Sequence, residues 1–367
     1  MPTTQRATSG SGVNAYMRPV VDWFKEHLAD TELMMLLACL AVIFVLLMLF
    51  GSILAPLLVA IALAYVLEGI VSLLTACKMP RLLAIVLVGL GSMLVVLFTM
   101  LAVFPVLFDQ IGRLIAQIPV YVQLLRDTLH DLQTQYPTGL NAEYLQQALA
   151  SAAAKMQEWG GLLLKISLAS IPNLIGLGIY AVLVPVLVFF LLKDKSNILR
   201  WTQQFLPESR NLLQRVWAEL DTQMGNYIRG RFWESLMVGF VMWLVFFAMG
   251  HEYALLLAVL TGISVWIPFV GAAVVTIPVV LLSYFQWGWS DMTMYSLMGY
   301  AVIQLIDANI VIPWLFSEVV NLHPIAIIVA VLFFGSIWGI LGVFFAIPLA
   351  ALVQSVLVII NERAQQP

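Results

Sequence analysis

Residues 299–324 read GYAVIQLIDANIVIPWLFSEVVNLHP, an apolar helix pattern that carries Gln304, Asp307 and Asn309 in its middle and Pro313 one turn later. An Asp at the centre of a membrane helix costs about 2.5 to 3.5 kcal/mol on insertion scales, so such a residue faces protein or water and marks a pathway. Gln304 and Asp307 share one helix face. Pro313 cannot donate to the carbonyl of Asn309 and bends the helix there. A bent helix with a freed carbonyl beside an acid can hold a cation or a proton. The plainer alternative is a packing residue hydrogen-bonded to a neighbouring span. Gln304, Asp307 and Asn309 are thus the candidate transport or ion-coupling residues.

The rest of the chain sets the context for that acid. Of 367 residues, 62% are hydrophobic and 10% charged, and the mean hydropathy is +0.99. A soluble domain carries about 25% charged residues, so this is the composition of a polytopic membrane protein. Continuous apolar runs of helical length exclude an outer-membrane barrel, whose strands alternate in short segments, and in a bacterium that means the inner membrane. Cys39 and Cys77 do not suggest a disulfide. The net charge of -3 says little, but its distribution says more: after Arg231 no Lys or Arg occurs until Arg363. The last third is membrane.

In chain order, residues 1–32 form a polar tail and a short amphipathic segment, with the apolar core too late for a cleavable signal. Runs 33–50 and 53–74, separated only by Gly51 and Ser52, predict a tight hairpin of two spans. Glu68 reads as an acid reaching the interface near Lys78 and Arg81. Those two basic residues make the next turn cytoplasmic, and the amino terminus with it. The third span is 82–108, so 33–108 holds the first three. Residues 109–161 fall on the external side, where 110–132 and 141–159 predict a helical hairpin across QYPTG. It reads as a gate, a vestibule, an oligomer contact or a surface packing element. Residues 162–192, interrupted by Pro172 and Pro185, predict an interfacial helix and the fourth span.

Residues 193–231 hold seven basic residues, Lys193, Lys195, Arg200, Arg210, Arg215, Arg229 and Arg231, and predict a cytoplasmic helical segment in contact with anionic lipid. Nucleic-acid binding is not supported. The fifth span, 232–250, opens with Glu234, three residues after Arg231, which predicts an interfacial ion pair or, alternatively, a gate.

Residues 258–280 read AVLTGISVWIPFVGAAVVTIPVV and residues 329–352 read VAVLFFGSIWGILGVFFAIPLAAL. The first is broken by Pro268, Gly271 and Pro278, the second by Gly335, Gly339, Gly342 and Pro348. Each carries an AVL run, a Gly, a Trp, a further Gly and an Ile-Pro pair, which makes a weak internal repeat. Paired interrupted segments point to a transport site, because broken helices present unpaired backbone groups inside a protected cavity. Close packing is the alternative role for each glycine. The site is expected between these breaks and Asp307, within a membrane bundle over 232–360 that ends in a cytoplasmic tail, 361–367.

No phosphate-binding loop ending in Gly-Lys-Ser or Gly-Lys-Thr occurs, and no nucleophile stands with its base. His27, His130, His251 and His323 lack metal-ligand spacing, and His323 before Pro324 reads as a turn closure. No catalytic residue, metal site or cofactor is predicted.

Several motifs occur together and in order: LAPLLVAIALAYVLEG (54–69), VPVLVFFLLKDK (184–195), NYIRGR (226–231), IPFVGAAVVTIP (267–278), DANIVIPWLFSEVVNLHP (307–324) and GVFFAIP (342–348). With them the chain resembles the autoinducer-2 exporter family of membrane permeases, from the first span to about Leu352. The resemblance implies an all-α fold of about eight transmembrane helices, an inner-membrane location, a homo-oligomer, and export or exchange of a small molecule or ion by an ion-coupled or passive route. It also carries over Tyr227, Gly230, Pro268, Gly271, Asp307, Asn309, Pro313, His323, Pro324, Gly342 and Pro348 as functional positions, with Tyr227, Gly230, Arg231 and Glu234 grouped as gate or interface. Many members have Gln where this chain has Arg231. The expected fold is therefore a polytopic helical membrane protein with broken or re-entrant helices in its C-terminal half and an extramembrane helical hairpin. The expected function is a permease or secondary transporter. A pore-like channel and a non-transporting membrane scaffold are the alternatives.

Overall fold

The computed structural model describes residues 31–135, 147, 150, 151, 154, 155, 158, 174–204, 211–268, 270–316 and 322–364, and among these every regular element is helical. The expected interfacial helix before Pro172, most of the second arm at 141–159 and the tails at 1–30 and 365–367 lie outside the described residues. Among the described residues five helices are long and apolar enough to cross a membrane, and Val182–Lys193, Ala254–Ser264, Pro324–Trp338 and Gly342–Val356 are shorter apolar helices. The protein is a polytopic helical membrane protein.

Helix α1 runs Thr31–Ala76. The turn expected at Gly51–Ser52 is absent. Neither residue forces a reversal, because Gly in a helix costs only about 1 kcal/mol and Ser is neutral there. Helix α2, Arg81–Phe98, continues through a π-helical turn, Thr99–Val103, into α3, Phe104–Gln135. The third span and the first arm of the expected extramembrane hairpin are thus one helical run, with apolar spacing and no breaker at residue 109. Helix α4 is Leu174–Lys193 and α5 is Lys195–Gln203.

Helix α6, Asn211–Ala248, joins the expected cytoplasmic helix and the fifth span without interruption. It ends at Gly250, whose φ of +71° suits glycine. His251 N–H then bonds Phe246 O at 2.9 Å and Gly250 N–H bonds Phe247 O at 3.0 Å, a Schellman closure that satisfies the last carbonyls.

Helix α7, Ala254–Ser264, and α8, Val270–Trp287, form the first broken hairpin. They run antiparallel: Gln286, at the end of α8, accepts from Glu252 N–H at 3.0 Å and donates to Gly250 O at 2.9 Å just ahead of α7. Helix α9, Asp291–Ile306, passes through a second π turn, Asp307–Val311, into α10, Ile312–Phe316. Both π turns stand two residues ahead of a proline, Pro105 and Pro313. The wider turn makes room for a ring that would meet the carbonyl four residues back. Helix α11, Pro324–Trp338, and α12, Ile340–Ala364, make the second broken hairpin, joined at Gly339 with φ of +60°.

The chain divides into two compact units: Met1–Ala55 with Ser196–Met224 and Leu322–Pro367, and Pro56–Lys195 with Gly225–Asn321. Two cores of the second unit frame the site. One packs Ala60 and Val71 of α1 with Ala84, Ile85 and Val88 of α2 and Val184, Val188 and Leu192 of α4. Beside it Arg81 pairs with Glu68 at 2.8 Å and donates to Leu192 O at 3.3 Å. The other gathers Met242 and Phe246 of α6, Leu257 of α7, Val279 of α8, Ile303 of α9 and Tyr121 of α3. The first arm thus belongs to the bundle: Tyr121 stacks on Phe285 with centroids 4.2 Å apart.

In the first unit α11 and α12 pack closely. A Cβ at Gly342 would overlap the carbonyl oxygen of Phe334, and one at Gly335 would meet Val343 at 2.9 Å. The Gly335 face is filled by the same chain, in keeping with the close-packing alternative. Trp338 packs on Phe334 and Phe44, with centroids 5.8 Å away in each case.

Candidate functional site

The site is built on three elements of the second unit: the middle of α6, the broken end of α7, and the π turn with α10. Small residues set their spacing. Ser235 hydroxyl donates to Gly262 O at 2.6 Å, and a Cβ on Gly262 would come within 2.9 Å of Ser235 O and 3.3 Å of the Gly239 Cα. Helices α6 and α7 therefore cross backbone to backbone, one residue beyond Glu234. Helix α7 ends at Ser264, ahead of Pro268 in the turn, and α8 starts so tightly that a Cβ on Gly271 would overlap the Ser264 carbonyl oxygen.

Three charged side chains are buried together in this unit. Arg231 is 8% exposed, Glu234 0% and Asp307 6%. Arg231 Nη1 donates to both oxygens of Glu234, at 2.9 Å to Oε1 and 2.7 Å to Oε2. Asp307 is close enough to interact electrostatically with Arg231 and Glu234, and its Oδ1 has no hydrogen-bond partner. The guanidinium lies against two neighbouring rings, with Cζ 4.9 Å from the Phe316 centroid and 5.7 Å from that of Tyr227, the two centroids being 6.1 Å apart. Phe316 lies directly on Gly230, where a Cβ would meet its ring at 2.7 Å. Cation–π contact of this kind strengthens when water is excluded.

The pair Arg231–Glu234 is legible in the sequence from its spacing, but its burial is not. The pair was expected at an interface because a cytoplasmic helix was expected to end at Arg231. Since α6 is continuous, both residues sit inside the helix, and Arg231 is withdrawn from the anionic-lipid role assigned to it with its basic neighbours. Exposed Arg200 and half-buried Arg229 remain on their own local partners, Asn197 at 2.6 Å and Asn226 at 2.8 Å.

The other expected positions separate. Gln304 Nε2 donates to Tyr300 Oη at 2.8 Å, and that hydroxyl also reaches Ala272 O at 3.1 Å and Thr276 Oγ1 at 3.0 Å, which ties α9 to the start of α8. Asn309 is exposed and donates to Leu305 O at 2.8 Å, so it supports the π turn rather than the charged cluster. Pro278 lies inside α8 and Pro348 inside α12. In the first unit His323 caps α11, its Nδ1 accepting from Ile325 N–H at 3.3 Å with Pro324 at the first helical position, as the turn reading anticipated.

Sequence reasoning missed Phe316, Ser235 and Gly262, which matter only through contacts between helices. It also missed the supports of α7. Gln110 Oε1 accepts from Leu256 N–H at 2.8 Å, capping the first turn from α3. Tyr253 hydroxyl donates to Gln117 Oε1 at 2.9 Å and meets Tyr121 hydroxyl at 3.1 Å, while Tyr121 also bonds Gln117. His251 accepts from Tyr253 N–H at 3.1 Å through Nδ1, and burial pushes its imidazole down to about 4.

Chemically, the cluster joins one permanent cation to two carboxylates in an apolar helix bundle, beside the end of α7, whose last carbonyls are taken, contrary to the unpaired groups expected of a broken helix: Thr261 O by Ser264 Oγ at 2.7 Å, Gly262 O by Ser235 Oγ at 2.6 Å, Ile263 O by Trp266 N–H at 3.2 Å and Ser264 O by Ile267 N–H at 3.0 Å. Such an arrangement can bind and release a small cation or a proton. Known proteins have similar sequences. The chain is 41% identical over 341 residues to the "Putative permease PerM" of Escherichia coli (strain K12), which covers 92% of this chain and 96% of that one. It is 26% identical over 309 residues to the "Putative transport protein YueF" of Bacillus subtilis (strain 168), covering 82% of each. A third relative, the "Putative transport protein YrrI" of the same strain, is 23% identical over 320 residues, or 84% of this chain and 86% of that one. Residues 35–362 match the model of the family described as AI-2E family transporter, and the chain belongs to that family of membrane transporters.

Proposed function

We propose that the protein is an inner-membrane permease that exports or exchanges a small solute, with ion coupling at Asp307. The observation that carries this reading is a buried carboxylate with a free oxygen, set in a π turn and facing a buried Arg–Glu pair beside a broken hairpin. A carboxylate kept in such a place costs stability, and the cost has a use when the group changes charge during a transport cycle. The break between α7 and α8, with Pro268 in its turn and Gly271 packed on the Ser264 carbonyl, supports a solute site there. Gly342 and Pro348 repeat the motif in the other unit.

Lys78, Arg81, Lys193 and Lys195 near helix ends favour a cytoplasmic location for those ends. A homo-oligomer follows from the family resemblance. The test is reconstitution: saturable counterflow of a solute from a small-metabolite panel is the expected result. Steady currents in a planar bilayer without saturable counterflow would instead make the protein a channel.

A further inference from the structure

Where α1 stops and α2 starts, the second unit gathers cations from separate parts of the chain. Lys78 and Arg81 come from the α1–α2 turn and its end, Lys193 and Lys195 from the junction of α4 and α5, and Arg229 from α6. Contacts hold them around one place. Arg81 Nη2 donates to both oxygens of Glu68, at 2.8 and 3.1 Å, and to Leu192 O at 3.3 Å, which joins α1 to the end of α4 beside Lys193. Gly69 follows Glu68, and Arg229 fills the space a side chain would take there: a Cβ on Gly69 would meet Arg229 Cδ at 3.2 Å. Gly225 makes the matching space on α6, where a Cβ would meet Arg229 Nη2 and the Tyr65 ring at 3.3 Å each. The Nζ of Lys195 lies 5.9 Å from the centre of that same ring.

The rim formed in this way is strongly positive. Its two carboxylates are Glu68, which Arg81 already holds, and Asp194, so five cations leave three positive charges in excess. Directly beneath it the helices turn apolar side chains outward. Leu82 and Val86 are exposed one turn apart on α2, and Val186 and Phe190 are exposed one turn apart on α4. Lys193 bridges the two zones, its Nζ standing 5.7 Å over the Phe189 ring, so that its stem covers apolar surface while its charge reaches the rim. A ligand that matches both zones carries a phosphate joined to hydrocarbon. Free phosphate would use the rim alone.

We propose that this rim is a binding site for the headgroup of an anionic phospholipid, with the acyl chains lying on the exposed sides of α2 and α4. Basic pockets between membrane helices take such headgroups. The lipid contact expected along residues 193–231 is thereby moved to a defined place: two of its five cations, Lys78 and Arg81, lie outside that stretch, and they meet the others only because α1, α2, α4 and α6 come together. The glycines at 69 and 225 contribute by letting Arg229, which also donates to Asn226 at 2.8 Å, lie between α1 and α6.

The test uses the full chain in neutral detergent micelles containing equal amounts of phosphatidylglycerol and phosphatidylcholine, read by native mass spectrometry. As collision energy rises, the last lipid kept by each chain should be a single phosphatidylglycerol. The melting temperature should rise with phosphatidylglycerol and not with phosphatidylcholine, because a ligand of the folded state stabilises it. Lys193→Gln combined with Lys195→Gln should weaken phosphatidylglycerol binding by about fivefold for each cation removed. Arg113→Gln, which removes a cation paired with Asp109 on α3, should leave binding unchanged. Equal retention of the two lipids, a graded series of phosphatidylglycerol counts with no preferred number, or the same loss in Arg113→Gln would each overturn the proposal. So would an equal rise in melting temperature with glycerol phosphate alone, which would make the occupant a soluble phosphate. If the double variant fails to fold, the wild-type comparison of the two lipids still decides.

Discussion

Gly271 lies against the carbonyl oxygen of Ser264 so closely that any side chain would overlap it, and Gly342 lies against the carbonyl oxygen of Phe334 in the same way. The two glycines occupy corresponding places in the weak internal repeat. Each lets a second half-helix start beside the last turn of the first, so the repeat in sequence is a repeat of one packing device.

Gly271→Ala and Gly342→Ala should each destabilise the protein by about 1 to 3 kcal/mol or more, because the obstacle is backbone and cannot rotate away. Gly89→Ala and Gly112→Ala, inside helices where nothing lies within 4 Å of the added carbon, should not destabilise the protein and should gain up to about 1 kcal/mol from the better helix former. Thermal unfolding in mild detergent checks the contrast. Equal melting temperatures for the two pairs would remove the packing argument.

Gln110 caps α7 from a different helix, its Oε1 accepting the Leu256 N–H. Gln110→Ala leaves that buried donor without a partner and should cost about 1 to 3 kcal/mol. Gln110→Glu keeps an acceptor at a helix N-terminus, where negative charge is favoured, and should recover most of the loss. Hydrogen exchange at the α7 amides would report it: protection should fall in the Ala variant and return in the Glu variant.

His251 is held neutral, its folded value pushed down by burial from the ordinary 6.5 to about 4. The unfolded chain takes the proton first, so stability is complete above pH 6.5 and declines as pH falls toward 4. The loss attributable to this residue is about 3 kcal/mol by pH 4. His251→Asn should lower stability at neutral pH yet flatten this part of the pH dependence. An unfolding series from pH 7 to 4 that keeps the wild-type slope in the variant would argue against it.

Cys77 is exposed, while Cys39 is only partly so. With Lys78 and Arg81 beside it, Cys77 should react with a membrane-impermeant maleimide in inside-out vesicles and stay unlabelled in intact cells, tested in a Cys39→Ser background. Labelling from the outside would invert the proposed orientation.

Much of the architecture was legible because it rests on local chemistry. Asp307 stood out as an acid in an apolar helix. The breaks near Pro268 and at Gly339 were visible because proline and glycine weaken a helix, although Pro278 and Pro348, read in the same way, lie inside α8 and α12. Boundaries between helices were less legible. Gly51–Ser52 resembles a turn, yet α1 continues through it, and nothing between residues 211 and 248 marks where a cytoplasmic helix would end and a span begin. Arg231 and Glu234 showed their pairing by spacing, but burial depends on Phe316, 85 residues along the chain, closing over Gly230. The caps of α7 were hidden for the same reason: Gln110 and Leu256 meet across 146 residues, and no periodicity records such a contact.

The central claim is that Asp307 couples an ion to solute movement, and solute release by living cells tests it most directly. Cells lacking the gene would carry wild-type or Asp307→Asn protein at matched membrane levels, with small metabolites in the medium quantified by mass spectrometry at two external pH values. The account predicts that wild-type protein releases a defined set of solutes in a pH-dependent manner, and that Asp307→Asn loses this release while keeping the wild-type fold. Release of the same solutes by Asp307→Asn at both pH values, to the wild-type extent, would contradict it and leave Asp307 a packing residue.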